Sequence, residues 1–140
     1  MWCVQVRRII LCTGKVYYDL LKYRRDKGKK KIAIATIEQI CPFPFDRVQR
    51  LAQHYPNAEI VWVQEEPQNM GCWTYLQARI DTALRAAGVN KRVSYIGRNP
   101  AASPATGNAT IHQAEVDQFL HAAFDTNPAP DRLAPIRWRY

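Results

Sequence analysis

The chain has no C-x-x-C pair. Its four cysteines, Cys3, Cys12, Cys41 and Cys72, stand 9, 29 and 31 residues apart, a spacing that supplies neither a zinc site nor a dithiol redox motif. They read as reduced thiols acting as small hydrophobes, as in an intracellular compartment. No apolar run approaches the ~20 residues that a membrane span requires, so no span is expected. The opening M-W-C-V-Q-V-R-R is too short and too poor in small residues for a signal or transit peptide. Acidic residues are few: 12 against 20 Lys and Arg, a net charge of +8. Such an excess suits a polyanion, and a free-standing basic binding module is one reading of the chain. Seven of the cations, however, fall within Lys22 to Lys31, at the end of an expected helix. There they complement the helix dipole and face water, so nucleic acid is not the leading expectation.

Catalytic sets are missing too. Gly14-Lys15 stands between an expected strand and helix, as a phosphate loop would. That motif needs an upstream glycine and a Ser or Thr after the lysine, and this chain has Val16 there and no glycine before Gly14. His54, His112 and His121 lie beside no Ser or Cys in a recognisable motif, so no triad is expected. Metal-ligating residues do not cluster along the sequence. Catalytic, cofactor-binding and metal residues are all expected to be none.

What is present is a chain of 140 residues, 47% hydrophobic, enough for one domain with a real core. It is organised around Ile60 to Gly71, I-V-W-V-Q-E-E-P-Q-N-M-G. Four apolar residues, Ile60 to Val63, predict a strand covered on both faces. Pro67 ends its pairing, so Glu65 and Glu66 are expected just beyond the strand. Strands are also expected over Arg8 to Cys12, Ile32 to about Ile37, and Arg92 to Ile96. Helical spacing joins Val16, Tyr17, Leu20 and Leu21, with Gly28 past the end. It recurs from Phe45 to Tyr55, from Trp73 to Ala87 with Asn69 as cap, and through Val116, Phe119, Leu120 and Ala123, where Thr110 to Gln113 fits a capping box. The order βαβαβαβα predicts a three-layer αβα sandwich with a mostly parallel sheet. Right-handed crossovers then bring Thr13 to Lys15, Cys41 to Phe45, Gln64 to Asn69 and Gly97 to Pro100 to one edge. Neighbouring strand residues face opposite ways, so Glu65 and Glu66 do not share one substrate. One is expected to pair with a base such as Lys15 or Arg98, the other to face water or a partner. Trp62 is expected in the core.

Four stretches carry a resemblance. R-R-I-I-L-C-T-G-K-V-Y-Y-D-L-L, I-E-Q-I-C-P-F-P-F-D, Y-P-N-A-E-I-V-W-V-Q-E-E-P-Q-N-M-G and Y-I-G-R-N-P-A-A-S-P-A-T-G-N together resemble the C-terminal domain of the 2-oxoglutarate dehydrogenase E1 component. The likeness runs over 7–124. Residues 1–6 stand as a non-family extension and 125–140, with no periodicity, as a flexible tail. The resemblance implies a transketolase C-terminal-like fold. It implies an enzyme that decarboxylates 2-oxoglutarate with thiamine diphosphate and magnesium and succinylates the lipoyl group of the E2 succinyltransferase in the citric-acid cycle. The family's G-D-G motif, its later asparagine and its catalytic histidines belong to upstream domains, so this chain alone is expected to be an inactive fragment that binds no cofactor. The implied partners are a second E1 in a homodimer, E2 and E3; the implied place is the mitochondrial matrix, or the cytoplasm in a bacterium. Some bacterial relatives form an acetyl-CoA activator site here. The candidate anion and interface residues, chosen by position on the expected edge, are Lys15, Arg47, Glu65, Glu66 and Arg98. The 2-oxoadipate paralogue is the near alternative.

Overall fold

A computed structural model describes residues 5–127. Most of the extension 1–6 and of the tail 125–140 lies outside the described residues. Four strands, β1 (Arg8–Cys12), β2 (Ile32–Thr36), β3 (Glu59–Pro67) and β4 (Ser94–Arg98), alternate with α1 (Val16–Asp26), α2 (Phe45–His54), α3 (Trp73–Ala86) and α4 (Ala109–Phe124). The sheet order is β2-β1-β3-β4 and every pairing is parallel. The expected α/β class and layering are therefore present.

The two faces of the sheet follow from side-chain alternation. Ile9, Leu11, Ile60 and Trp62 point to one side and pack on Val48 and Ala52 of α2 and on Leu76, Ile80 and Leu84 of α3. Ile10, Cys12, Val61 and Val63 point to the other and meet Val16 and Leu20 of α1 and Phe119 and Ala123 of α4. All five residues of β1 are buried, as a central parallel strand requires. Burying whole Ile, Leu, Val and Trp side chains contributes roughly 1.5–3 kcal/mol each.

Arg8 adds a polar tie between the layers. Its side chain is 1% exposed. Nε and Nη2 donate to Oε2 of Glu59 at 2.8 and 2.6 Å, while Nη1 donates to the Ala122 and Ala123 carbonyls at 3.0 and 2.9 Å. Those carbonyls belong to the last turn of α4. One guanidinium thus ties β1, the start of β3 and the end of α4.

Four local expectations need correction. β3 runs on to Pro67, so Glu65 and Glu66 are inside the strand, not beyond it. They form an irregularity: Gln64 pairs with Gly97, and Pro67 pairs with Arg98, the very next residue of β4. β4 begins at Ser94, two residues later than expected, because the Val93 N–H is taken by Asp81 Oδ1 at 2.9 Å and Arg92 stays outside. Asn69 does not cap α3, which opens at Trp73 after Cys72 with no side-chain cap. Nor does Thr110 start a capping box. The cap of α4 is Asn108, whose Oδ1 accepts from the Thr110 and Ile111 N–H groups at 2.9 and 3.2 Å, while Gln113 turns to Asp117.

Candidate functional site

In this topology the C-terminal ends of the strands share one edge, and the loops after them build it. The centre is Gln64, the residue of β3 that follows the apolar run. It is 2% exposed, and its amide is fully used. Oε1 accepts from the Trp62 indole Nε1 at 2.9 Å and from the Trp73 backbone N–H at 3.1 Å. Nε2 donates to the Met70 and Pro67 carbonyls at 2.7 and 3.0 Å. A buried amide satisfied on both ends is rigid, since any rotation leaves a polar atom unpaired. The turn from Pro67 to Trp73 is wrapped around this side chain. Gly71 makes the wrapping possible: its φ is +65°, and a Cβ there would stand 3.1 Å from the amide. The sequence held a signal for Gln64, because a polar residue two after Trp62 in a buried strand faces the same way and needs a partner.

Glu65 and Glu66 separate as alternation requires. Glu65 turns towards the layer of α1 and α4. Its Oε1 accepts from Lys15 Nζ at 3.1 Å, with His112 Nε2 at 4.0 Å. Lys15 is 71% exposed, so the pair is worth at most about 1 kcal/mol. The hydrogen bond to Glu65 holds the Lys15 ammonium above its usual value, with Asp19, 3.6 Å away, adding to it. Glu66 is exposed. The one proton of the Tyr95 hydroxyl is shared between the Arg98 carbonyl at 2.8 Å and the Glu66 carbonyl at 3.2 Å. Burial, with the Glu66 charge behind it, pushes that phenol up.

The three candidate cations do not converge. Arg98 is 8% exposed and donates through Nε to Glu115 Oε2 at 2.6 Å. Arg47 is on α2, in the opposite layer from Lys15, and lies 3.7 Å from Asp46. Asp46 also pairs with Arg50, whose hydrogen bond holds the carboxyl low. Glu115 was not singled out from the sequence, although it stands one helical turn before the buried Phe119 and so faces the sheet. Glu38 carried no such signal. Its carboxylate fills the Gly14-Lys15 turn, accepting from the Thr13 hydroxyl at 3.2 Å and the Gly14 N–H at 3.2 Å. The turn that superficially suits a phosphate is engaged by the chain's own acid.

The loops of the edge are also tied to one another. Asn69 Nδ2 donates to the Ala101 carbonyl at 2.9 Å, and the Ala101 N–H returns a bond to Asn69 Oδ1 at 3.0 Å. Gly97 lets the chains come close, since a Cβ there would meet the Tyr95 hydroxyl and stand 2.9 Å from the Gln64 carbonyl oxygen. A cleft of about 340 Å³ opens beside Lys15 and Glu65, between α1 and α4, with Val116 and Phe119 in its wall. Among the described residues no three His, Cys, Asp or Glu come together to hold a metal. The carboxylates of Glu38, Glu65 and Glu115 each already hold an N–H, a hydroxyl or a cation, so the set does not fit a magnesium–diphosphate site.

Among the described residues the large hydrophobics that stay exposed, Tyr18, Phe45 and Ile111, at 70%, 43% and 52%, are each in the first turn of a helix, next to this edge. Layers, rigid loops and a rim of apolar side chains define an αβα domain built to present one edge. Comparison with known proteins gives its kinship. Residues 3–124 match the family described as 2-oxoglutarate dehydrogenase C-terminal, and the chain belongs to that family. It is 51% identical over 122 residues to "2-oxoglutarate dehydrogenase-like, mitochondrial" of Pongo abelii, covering 86% of this chain and 12% of that protein. It is 43% identical over 120 residues to "2-oxoglutarate dehydrogenase, mitochondrial" of Caenorhabditis elegans, covering 85% and 12%. With the Dictyostelium discoideum protein of the same name it shares 41% over 119 residues, again 85% and 12%. The chain thus spans about an eighth of the length of these relatives.

Proposed function

We propose that this chain is the bracing C-terminal domain of a 2-oxoglutarate dehydrogenase E1. The observation that carries this reading, beside the family membership, is the edge itself: loops pinned by Gln64 and by the Asn69–Ala101 pair, rimmed by exposed Tyr18, Phe45 and Ile111. Apolar side chains on a rigid frame are what a subunit or domain contact uses as anchors. In this reading the edge closes an E1 homodimer and supports the domain that holds thiamine diphosphate and magnesium. The cofactor, when bound there, supplies the carbanion chemistry that removes CO2 from 2-oxoglutarate and readies the succinyl group for the lipoyl arm of E2, with E3 downstream. The residues of this chain take no step in it. The relatives bear the 2-oxoglutarate name, not the 2-oxoadipate one, and the word mitochondrial in their names supports the mitochondrial matrix as the place of work.

Two measurements test the reading. The purified chain, given 2-oxoglutarate, thiamine diphosphate and magnesium, is expected to show no turnover; turnover above a no-protein blank overturns the bracing role. Full-length E1 of a close relative carrying the equivalent of Phe45→Asp is expected to lose dimer stability in sedimentation. An unchanged dimer together with unchanged activity would show that the apolar rim is not a contact.

A further inference from the structure

The opposite edge of the sheet, where the strands begin, has a different character. Arg7 precedes β1, Lys27 to Lys31 precede β2, and Lys91 and Arg92 precede β4. The Arg7 N–H donates to the Lys31 carbonyl at 2.8 Å, which locks two of these approaches together. Lys27, Lys29, Lys30 and Lys31 are all exposed, and none enters an ion pair among the described residues. Among the described residues the acids nearby are few: Glu59 is held by Arg8, Asp81 by the Val93 N–H and Asp125 by the Asn127 N–H, while Asp26 closes α1. Like charges crowded on one edge repel, so this face raises the energy of the free molecule unless something anionic covers it.

We propose that this edge docks on an anionic lipid surface. Three observations select that partner. The cations extend from the start of β2 to the start of β4, three strand spacings or about 14 Å, so they form a broad face and not a strip. Among the described residues the exposed large hydrophobics are all at the other edge, so the described part of this face offers no apolar centre of the kind a protein interface uses. The densest group sits on a tight turn, Lys27-Gly28-Lys29-Lys30-Lys31, with Gly28 at φ +59°. The Lys27 ammonium lies 6.0 Å from the centre of the Tyr23 ring, and Lys29, Lys30 and Lys31 stay exposed, point charges that meet headgroup phosphates in any arrangement. Anionic headgroups move sideways to match such a face, which a rigid duplex cannot do. Each cation near a charged bilayer adds to binding, and the sum is strongly salt-dependent. The domain would rest on its basic edge and leave the loop edge free for its other contacts.

The test is co-sedimentation of the full 140-residue chain with vesicles of phosphatidylcholine alone or containing one-third phosphatidylglycerol, at low and at physiological salt. Binding is expected to anionic vesicles only and to weaken as salt rises. The variant K27Q/K29Q/K30Q/K31Q is expected to bind at least about 100-fold more weakly. The pair Lys15→Gln and Arg47→Gln, at the other edge, is expected to bind like the parent. Thermal midpoints confirm that each variant folds, and K29E/K30E serves if the fourfold variant does not. Failure to bind anionic vesicles, or equal binding by the fourfold variant, overturns the proposal. So does displacement of the vesicles by duplex DNA at equal charge concentration, which would make the face a nucleic-acid site.

Discussion

Replacing Gln64 with leucine tests the centre of the loop edge. The shape is nearly kept, so packing against Trp62 and Trp73 changes little. What is lost is one acceptor and one donor group. Without Oε1, the Trp62 indole N–H and the Trp73 backbone N–H lose partners at 2.9 and 3.1 Å. Trp62 is 0% exposed and Trp73 6%, so water does not reach either donor without local opening. A buried donor left unpaired costs about 1–3 kcal/mol. Two of them, together with the Pro67 and Met70 carbonyls that the turn can turn outward to water, give an expected loss of about 3–4 kcal/mol. That is a large share of the 5–15 kcal/mol typical of a domain. Urea unfolding followed by tryptophan fluorescence would show a midpoint lower by roughly 2 M. Hydrogen exchange supplies the local readout: the Trp73 amide is expected to lose its protection while β1 amides keep theirs relative to global stability. A loss below about 1 kcal/mol with the Trp73 amide still protected would refute the idea that Gln64 holds this turn.

Other perturbations probe different parts of the frame. Arg8→Met strips the α4 carbonyls of Ala122 and Ala123 and frees Glu59, which at 46% exposure rehydrates easily; the expected cost is about 2–4 kcal/mol by urea unfolding, and a neutral result would mean that α4 is held by its apolar face alone. Gly97→Ala drives a Cβ against the Tyr95 hydroxyl and the Gln64 carbonyl, at an expected cost of roughly 1–3 kcal/mol, checked by thermal unfolding. The Cys12 thiol, pushed from 9.0 up to about 12 by burial and then by the Glu38 charge, makes stability fall with rising pH. Below pH 9 both states hold the proton and the contribution is whole; between pH 9 and 12 the unfolded chain gives it up first. Cys12→Ala is therefore expected to flatten the alkaline arm of a stability–pH curve, and an arm of unchanged slope would reject the assignment.

The layers were legible in the residues and the turn chemistry was not. β1 and β3 announced themselves through runs of buried apolar side chains, and α4 through Val116, Phe119, Leu120 and Ala123. These signals reflect burial, which dominates the energy and repeats along an element. The cap of α4 was misplaced because Asn108 and Thr110 both suit the role, and local composition does not say which of them adopts extended backbone; in the structure Asn108 does, at φ −139° and ψ 121°. Asn69 has a capping side chain too, but its amide finds Ala101, 32 residues away, a partner no local pattern encodes. The edge cations show the same limit. Position in the chain brought Lys15 and Arg98 to the right edge, yet Glu115 and Glu65 decided where each points.

The irregularity in β3 ties these threads together. Two residues, Glu65 and Glu66, stand where β4 offers none, between Gly97 and Arg98. Because strand side chains alternate with period two, an insertion of two leaves every later residue on its original face. The insertion therefore changes no burial pattern, which is why hydrophobic periodicity is blind to it. What it changes is reach. It carries the chain outward so that Pro67 and Met70 can curl back over the Gln64 amide, and it sets Glu65 beside Lys15 on the neighbouring helix. An insertion of one would have turned Pro67 and the approach to Trp73 to the wrong side and taken Trp73 from the core. The sheet accommodates the extra pair because Gly97, having no Cβ, leaves room for the Tyr95 hydroxyl, which reaches the Arg98 carbonyl at 2.8 Å beside the Gln68 N–H and stands 3.2 Å from the Glu66 carbonyl. Gln64, the acidic pair and Gly97 are thus one device, and a change at any of them should disturb the loop edge before it disturbs the sheet.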